Sequence, residues 1–370
     1  MTKREIFIDY VRNGGERLVC SPQIGAGAGY DAKISGRRYC GEASAEDTIA
    51  VNGRYDTLPL YNAGLDPFMH CPDVNWIVES REKTEEKIEV KTRLDTPFGA
   101  MRRHMVEYPH KGGFHIMDAV NGPDDMDKFE YIVDRALSHG DYSCYTDLGK
   151  RYRKIFGEDV PVSVQWSMQP YELLSYPNTM TDALLPYDDE PRFFRLMDKI
   201  LELDYRILDA LADSGVDFVF LGGPASEIIS PAYYEKYLVP YSKLVTDRAH
   251  KRGLLIYSHI CSPIEPMLTK GYYNEMGIDL FETLSPKPEG NIVSLADALS
   301  KLDSGICTRG NVSLSLLMTG SPREVKEEVF GIMDAAAGRK HMVAASDYLL
   351  YDVPEENVIA LCGAVKEYYG

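Results

Sequence analysis

The sequence predicts an α/β chain: a TIM-type (β/α)8 barrel in a single domain over residues 1–370, with a β-ribbon insertion at 75–106. Three observations predict it. From about residue 160 onward, short apolar runs alternate with amphipathic helical stretches, the pattern of a parallel sheet built from βα units. The runs are apolar on both faces, as strands covered by helices outside and by core inside should be. A length of 370 residues suits a barrel with additions, and 44% hydrophobic content suffices for a large core.

Taken in order, residues 18–25 form a strand, followed by a Gly-rich loop to about residue 41. A helix is expected from 45 to 63, then a short run at 66–70. Residues 75–106 alternate charged and apolar side chains, the signature of a solvated ribbon, with turns near Glu85-Glu86 and at Pro97-Phe98-Gly99. Later strands are expected at 160–166, 218–221, 254–259, 280–284, 306–310 and 342–346. Between them, Ser230-Pro231 supplies a cap and a first-turn proline. Ser262…Glu265 and Ser321…Glu324 have the spacing of capping boxes. Phe193, Met197, Ile200 and Ile207 lay an apolar stripe along a helix at 191–214 that Gly215 stops. Pro240 is expected to kink the next helix.

The net charge of −17 argues against a nucleic-acid surface and sits poorly with a polyanionic substrate. Seven cysteines are too few and too scattered for a disulfide framework. The start of the chain has no apolar stretch of signal length, and no segment approaches a membrane span. A cytoplasmic location is the expectation, with no membrane and no nucleic-acid partner.

In a parallel barrel, working residues gather at the carboxyl ends of the strands. Those ends carry Gln165 and Trp166, Gly222-Gly223 with Glu227, His259 with Cys261, Glu282, Arg309 with Asn311, and Asp347. His259 and Cys261 are the sharpest pair. Two apart in an extended segment, they point to one side, and imidazole and thiolate are both good zinc ligands. A packed histidine beside an inert cysteine explains them equally well. Asp347 is either a third ligand or the cap of a loop. Glu282 is an acid, base or partner of His259, or else a core-edge carboxylate paired with Arg309, the simpler reading. Asn311 suits hydrogen bonding to substrate or backbone. Gly222-Gly223 allows close approach of a ligand or a tight turn. Cys307, and the tyrosines at 233, 234 and 237, are most simply packing.

Several segments together resemble a known family. Leu221-Gly-Gly-Pro through Pro240-Tyr241, Tyr257-Ser-His-Ile-Cys261, Arg309-Gly-Asn311, Thr319-Gly-Ser-Pro322 and Val353-Pro-Glu-Glu-Asn-Val358 resemble, in order, motifs of the uroporphyrinogen decarboxylase superfamily. Thr92 to Gly99 is similar to the ribbon these proteins place before their second strand. The resemblance covers most of the chain and implies the closed barrel and a homodimer. The superfamily holds metal-free porphyrinogen decarboxylases, which grip a polycarboxylate with N-terminal arginines. It also holds corrinoid-linked methyltransferases, which bind zinc through H-x-C and a later Cys. The R-Q-A-G-R-Y segment of the decarboxylases is missing here. His259 and Cys261 match the first two methyltransferase ligands, and Asp347 stands where the third, a Cys, is expected. The resemblance therefore lies closer to the methyltransferase branch.

The leading expectation is a metal-assisted methyltransferase. It would move a methyl group between a small-molecule donor or acceptor and a separate corrinoid protein carrying methylcobalamin. Zinc would sit on His259, Cys261 and Asp347, with Glu282 and Arg309 as catalytic residues. Gln165, Trp166, Glu227 and Asn311 would bind substrate. The alternative is a decarboxylase of porphyrinogens or smaller carboxylates, anchored by Arg37/Arg38, Arg102/Arg103 and Arg309. A third reading is a barrel that binds a ligand or partner without turnover.

Overall fold

The computed structural model describes residues 1–24, 29–36, 45–108, 112–117, 120, 122–165, 179–223 and 229–370. Its strands are β1 (Val19–Cys20), β2 (Tyr61–Gly64), β3 (Ile77–Lys83), β4 (Ile88–Thr96), β5 (Gly99–Tyr108), β6 (Gly112–Met117), β7 (Val162–Gln165), β8 (Phe218–Phe220), β9 (Leu255–His259), β10 (Leu280–Glu282), β11 (Cys307–Val312) and β12 (His341–Ala345). Eight of them make one parallel sheet in the order β1-β12-β11-β10-β9-β8-β7-β2. The sheet curls until its two ends meet. There Leu58 N donates to Cys20 O at 3.1 Å, and the Ser21 hydroxyl donates to Leu58 O at 2.8 Å. The architecture is the expected TIM-type barrel.

Inside the barrel, residues two apart on a strand share the inward face. Phe218 and Phe220, Leu255 and Tyr257, Leu280, Cys307 and Met342 form the lower interior. The N-terminal helix Lys3–Asn13 closes that end by inserting Phe7, Tyr10 and Val11 among them. Cys307 is thus a core residue, fully buried. On the outside, the helix Glu190–Ala212 buries Phe193, Met197, Ile200, Ile207 and Leu208, the stripe that its 3.6-residue period predicts. Asp189 caps it through Arg192 N at 3.0 Å.

The insertion is a four-stranded antiparallel sheet, β3-β4-β5-β6, with turns where the sequence put them. Its fourth strand carries it beyond the expected boundary, to Met117.

Three local expectations fail, each for a physical reason. The helix at 45–63 ends at Tyr55, because Asp56 turns left-handed (φ 50°) and Pro59 has no N–H to continue it. The freed segment becomes β2, and the short run that follows forms turns. Ser262 caps nothing. The following helix, Glu265–Lys270, is capped from elsewhere in the chain, by Asn291 Oδ1 accepting from Ile264 N (2.9 Å) and Glu265 N (3.0 Å). The kink expected at Pro240 is taken up earlier, by a wide π turn over Tyr234–Leu238 ahead of the helix Val239–Lys251. The capping box at Ser321 and Glu324 forms as predicted. Among the described residues, no helix is long and apolar enough to cross a membrane.

His341 on β12 is fully buried between Thr308 Oγ1 (2.9 Å) and the Gly310 carbonyl (2.9 Å). Its Nε2–H donates to that carbonyl, which leaves Nδ1 to accept from Thr308. Burial holds its pKa down at about 4, against 6.5 for an ordinary histidine. Between those values the unfolded chain binds a proton that the folded chain refuses, so stability is full above pH 6.5 and falls as the pH drops towards 4. Urea unfolding across that window should lose about 3 kcal/mol through this residue. The loss should shrink in His341→Gln.

Candidate functional site

The strand register builds the site. Glu282 on β10 lies beside His259 on β9 and beside Arg309 on β11. All three point inward, one row above the apolar lower interior. Glu282 has no solvent exposure, and Arg309 has 2%. Both carboxylate oxygens are engaged. Its Oε1 accepts from His259 Nδ1 at 2.8 Å and from the Tyr257 hydroxyl, and its Oε2 accepts from Arg309 Nε. Burial pushes the Glu282 carboxyl up, but the Arg309 guanidinium and His259 outweigh burial and hold it below its usual value. Burial opposes the Arg309 charge too, and Glu282 reverses that effect. The carboxylate and guanidinium are an ion pair sealed in the barrel.

His259 takes its orientation from this pair. With Nδ1–H committed to Glu282, Nε2 faces outward to Asp347 Oδ1 at 3.5 Å. The Tyr348 ring stacks on the imidazole, with centroids 4.6 Å apart and an 8° interplanar angle. Burial disfavours a charged imidazole, yet Tyr348, Cys261 and Glu282 together place His259 well above its ordinary pKa. Asp347 is raised chiefly by its own burial, with His259 opposing. One ligand-capable atom from each of His259, Cys261 and Asp347 lies within 4.8 Å of the others. Imidazole, thiol and carboxylate, far apart in sequence, therefore converge at the mouth of the barrel. Their types and spacing fit a zinc ion, and the Glu282–His259 bond fixes the tautomer such a ligand requires.

Around this cluster the described groups are mainly phenols and amides. Tyr257 and Tyr348 share a hydrogen bond of 3.0 Å. The Asn62 amide reaches both Tyr348 (3.4 Å) and Gln165 Oε1 (2.7 Å). Asn311 is buried and donates to Leu284 O at 3.0 Å, leaving its own Oδ1 with no partner. Asn62 Oδ1 and both polar atoms of Gln23 are likewise buried and unpaired. Leaving such a group unpaired costs about 1–3 kcal/mol.

Of the residues expected from sequence, His259, Cys261, Asp347, Glu282 and Arg309 are brought together, and Gln165 and Asn311 stand at the ends of their strands. Trp166 and Glu227 lie outside the described residues, as do Arg37 and Arg38. Gly223 serves packing: a Cβ there would meet the Tyr234 hydroxyl at 2.7 Å and Ile260 at 2.9 Å. Sequence reasoning missed Tyr257, Tyr348, Asn62 and Gln23. The available signals were position alone: Tyr257 two residues before His259, and Tyr348 next to Asp347.

A barrel whose mouth gathers such groups belongs to the class of α/β-barrel proteins with strand-end sites. A family model for uroporphyrinogen decarboxylase (URO-D) matches residues 99–368. The chain belongs to the uroporphyrinogen decarboxylase family. It is 27% identical over 212 residues to uroporphyrinogen decarboxylase from Synechococcus sp., covering 55% of this chain and 56% of that protein. It is 27% identical over 184 residues to the Syntrophotalea carbinolica protein of the same name, covering 49% and 50%. The chain thus spans about half the length of the curated relatives it matches. A solved methyltransferase from Methanosarcina mazei shares the fold over 100% of both chains, with a TM-score of 0.71 at 15% identity.

The Glu282 pair yields a stability prediction. Glu282→Gln would leave a buried guanidinium without its counter-charge, at a cost of about 3–5 kcal/mol. Chemical unfolding should register that loss. A variant as stable as the wild type would mean that the pair contributes nothing net.

Proposed function

We propose that the chain is a metal-assisted methyltransferase, moving a methyl group between a small molecule and a separate corrinoid protein. The observation that carries this reading is the converged His259/Cys261/Asp347 cluster. The whole-length fold shared with a methyltransferase accords with it. Zinc held by those residues would act as a Lewis acid on the heteroatom of the substrate.

The chain's own residues prepare the site. Glu282 holds the Nδ1 proton of His259 and so keeps Nε2 directed at the cluster. Arg309 neutralises Glu282, so no uncompensated negative charge lies beneath the cluster. Tyr348 covers one face of the imidazole and ties it to Tyr257 and Asn62. The unpaired amide groups of Asn62, Asn311 and Gln23 supply acceptors and a donor suited to a neutral or zwitterionic molecule.

The same features weigh against decarboxylation of a polycarboxylate. That chemistry needs free cations, and the described candidates are engaged. Arg309 is paired with Glu282, Arg102 lies 3.6 Å from Glu79, and Arg103 lies 3.7 Å over the Trp76 ring. The family name keeps decarboxylation as the alternative.

Incubation with methylcobalamin and a panel of small nucleophiles should discharge the methyl-cobalt absorption. Cys261→Ala should abolish that discharge and remove the metal bound through this cluster, measured by elemental analysis. No discharge with any acceptor, together with conversion of uroporphyrinogen to coproporphyrinogen, would transfer the assignment to the decarboxylase. Neither activity would leave a binding barrel.

A further inference from the structure

A second convergence of ligand groups lies away from the barrel mouth. Cys71, Asp73 and His139 each place one ligand-capable atom within 4.8 Å of the others. Cys71-Pro72-Asp73 belongs to the turn that leads from β2 to the inserted sheet, fixed by Cys71 N to Phe68 O (2.9 Å) and Val74 N to Cys71 O (3.0 Å). His139 ends the helix Met126–Ser138, its N–H bonded to Ala136 O. The two segments are already docked, because His70 Nε2–H donates to the same Ala136 carbonyl at 3.0 Å.

Two observations point to a cation rather than to packing alone. His139 Nε2 is out of reach of solvent and has no hydrogen bond; the nearest carboxylate oxygen, Asp73 Oδ2, is 3.5 Å away. The cluster also lies at the carboxyl end of a helix of 13 residues, where the macrodipole favours positive charge. Arg135 is compatible with an ion. It takes Asp73 Oδ2 through Nε (2.8 Å) and Nη2, which leaves Oδ1 available. A carboxylate shared between a ligand bond and an arginine is an outer-shell arrangement that orients the ligand.

We propose that Cys71, Asp73 and His139 form a second binding site, for a thiophilic divalent cation of the zinc type. The donor set selects zinc or cobalt(II) over magnesium or calcium, which demand oxygen ligands. Such an ion clamps the turn that launches the inserted sheet onto the end of the helix Met126–Ser138, and its role is structural. The site is independent of the barrel-mouth cluster.

The test uses cobalt(II) with the full chain carrying Cys261→Ser, so that the barrel mouth supplies no thiolate. Cobalt titration should still produce a sulfur-to-cobalt charge-transfer band in the near ultraviolet. The band should vanish when Cys71→Ser is added. His139→Gln, at a partly exposed position, should weaken the apparent cobalt affinity by about tenfold or more while leaving circular dichroism unchanged. Zinc should raise the melting temperature of the Cys261→Ser chain and not that of the His139→Gln/Cys261→Ser chain. Absence of the band in Cys261→Ser, or its persistence after Cys71→Ser, would overturn the proposal and leave an ion pair beside a packed cysteine. Neither result bears on methyl transfer.

Discussion

The carboxylate of Glu282 is the constraint on which the site depends. It is sealed inside the barrel, so it can remain ionised only where opposite charge and hydrogen-bond donors meet both its oxygens. Arg309, His259 and Tyr257 do so, each from a position set by strand register rather than by loops. Because neighbouring strands lie only about 4.8 Å apart, Glu282 finds both partners on adjacent strands without reaching. The imidazole that emerges at the mouth is thereby anchored from below, in one tautomer. A ligand held this way loses little freedom when it engages an ion or a substrate.

The barrel separates two environments along one set of strands. Phe218, Leu255, Leu280, Cys307 and Met342 make a dry lower interior, sealed from beneath by Phe7 and Tyr10. One step up, the same inward faces carry Glu282, Arg309 and His259. Tyr257 sits at the junction. Its ring packs in the apolar layer, and its hydroxyl reaches both Glu282 and Tyr348. Burial and the adjacent carboxylate raise that phenol well above its usual pKa, so it remains a donor. The apolar layer lowers the local dielectric and strengthens each electrostatic contact above it.

Much of this was legible in the sequence, and the limits of legibility have physical causes. Strand ends followed by polar residues mark His259, Glu282, Arg309 and Asp347, because a (β/α)8 barrel directs those positions to one face. Sequence leaves open whether Glu282 pairs with Arg309 or with His259. In the folded chain its two oxygens serve both, a result that only inter-strand register decides. Tyr348 was invisible because its role is a ring stack on a residue 89 positions away. The second barrel strand was hidden in an apparent helix, since Tyr61–Gly64 is short and Pro59 is the sole local sign of the break. Ser262 had the right spacing for a capping box, but Asn291, 27 residues beyond Ile264, took its place. Long-range polar contacts override local signals in each case.

The aspartate at position 347 gives the proposed chemistry its direction. A cluster of imidazole and two thiolates makes a soft, electron-rich zinc, suited to raising the reactivity of a thiol. Replacing one thiolate by a carboxylate makes the same ion harder and more electrophilic. The surroundings agree with that change, since Arg309 cancels the charge of Glu282 rather than adding to the site, and the unpaired groups are amides. An electrophilic centre lined by neutral acceptors suits a substrate whose own heteroatom is to be polarised. It is poorly matched to one that must be stripped of a proton to become a thiolate. If the proposed methyl transfer holds, the methyl group would travel to or from an oxygen or nitrogen compound in preference to a thiol such as coenzyme M, and Asp347, standing where the resemblance expects a Cys, would be the residue that makes the difference.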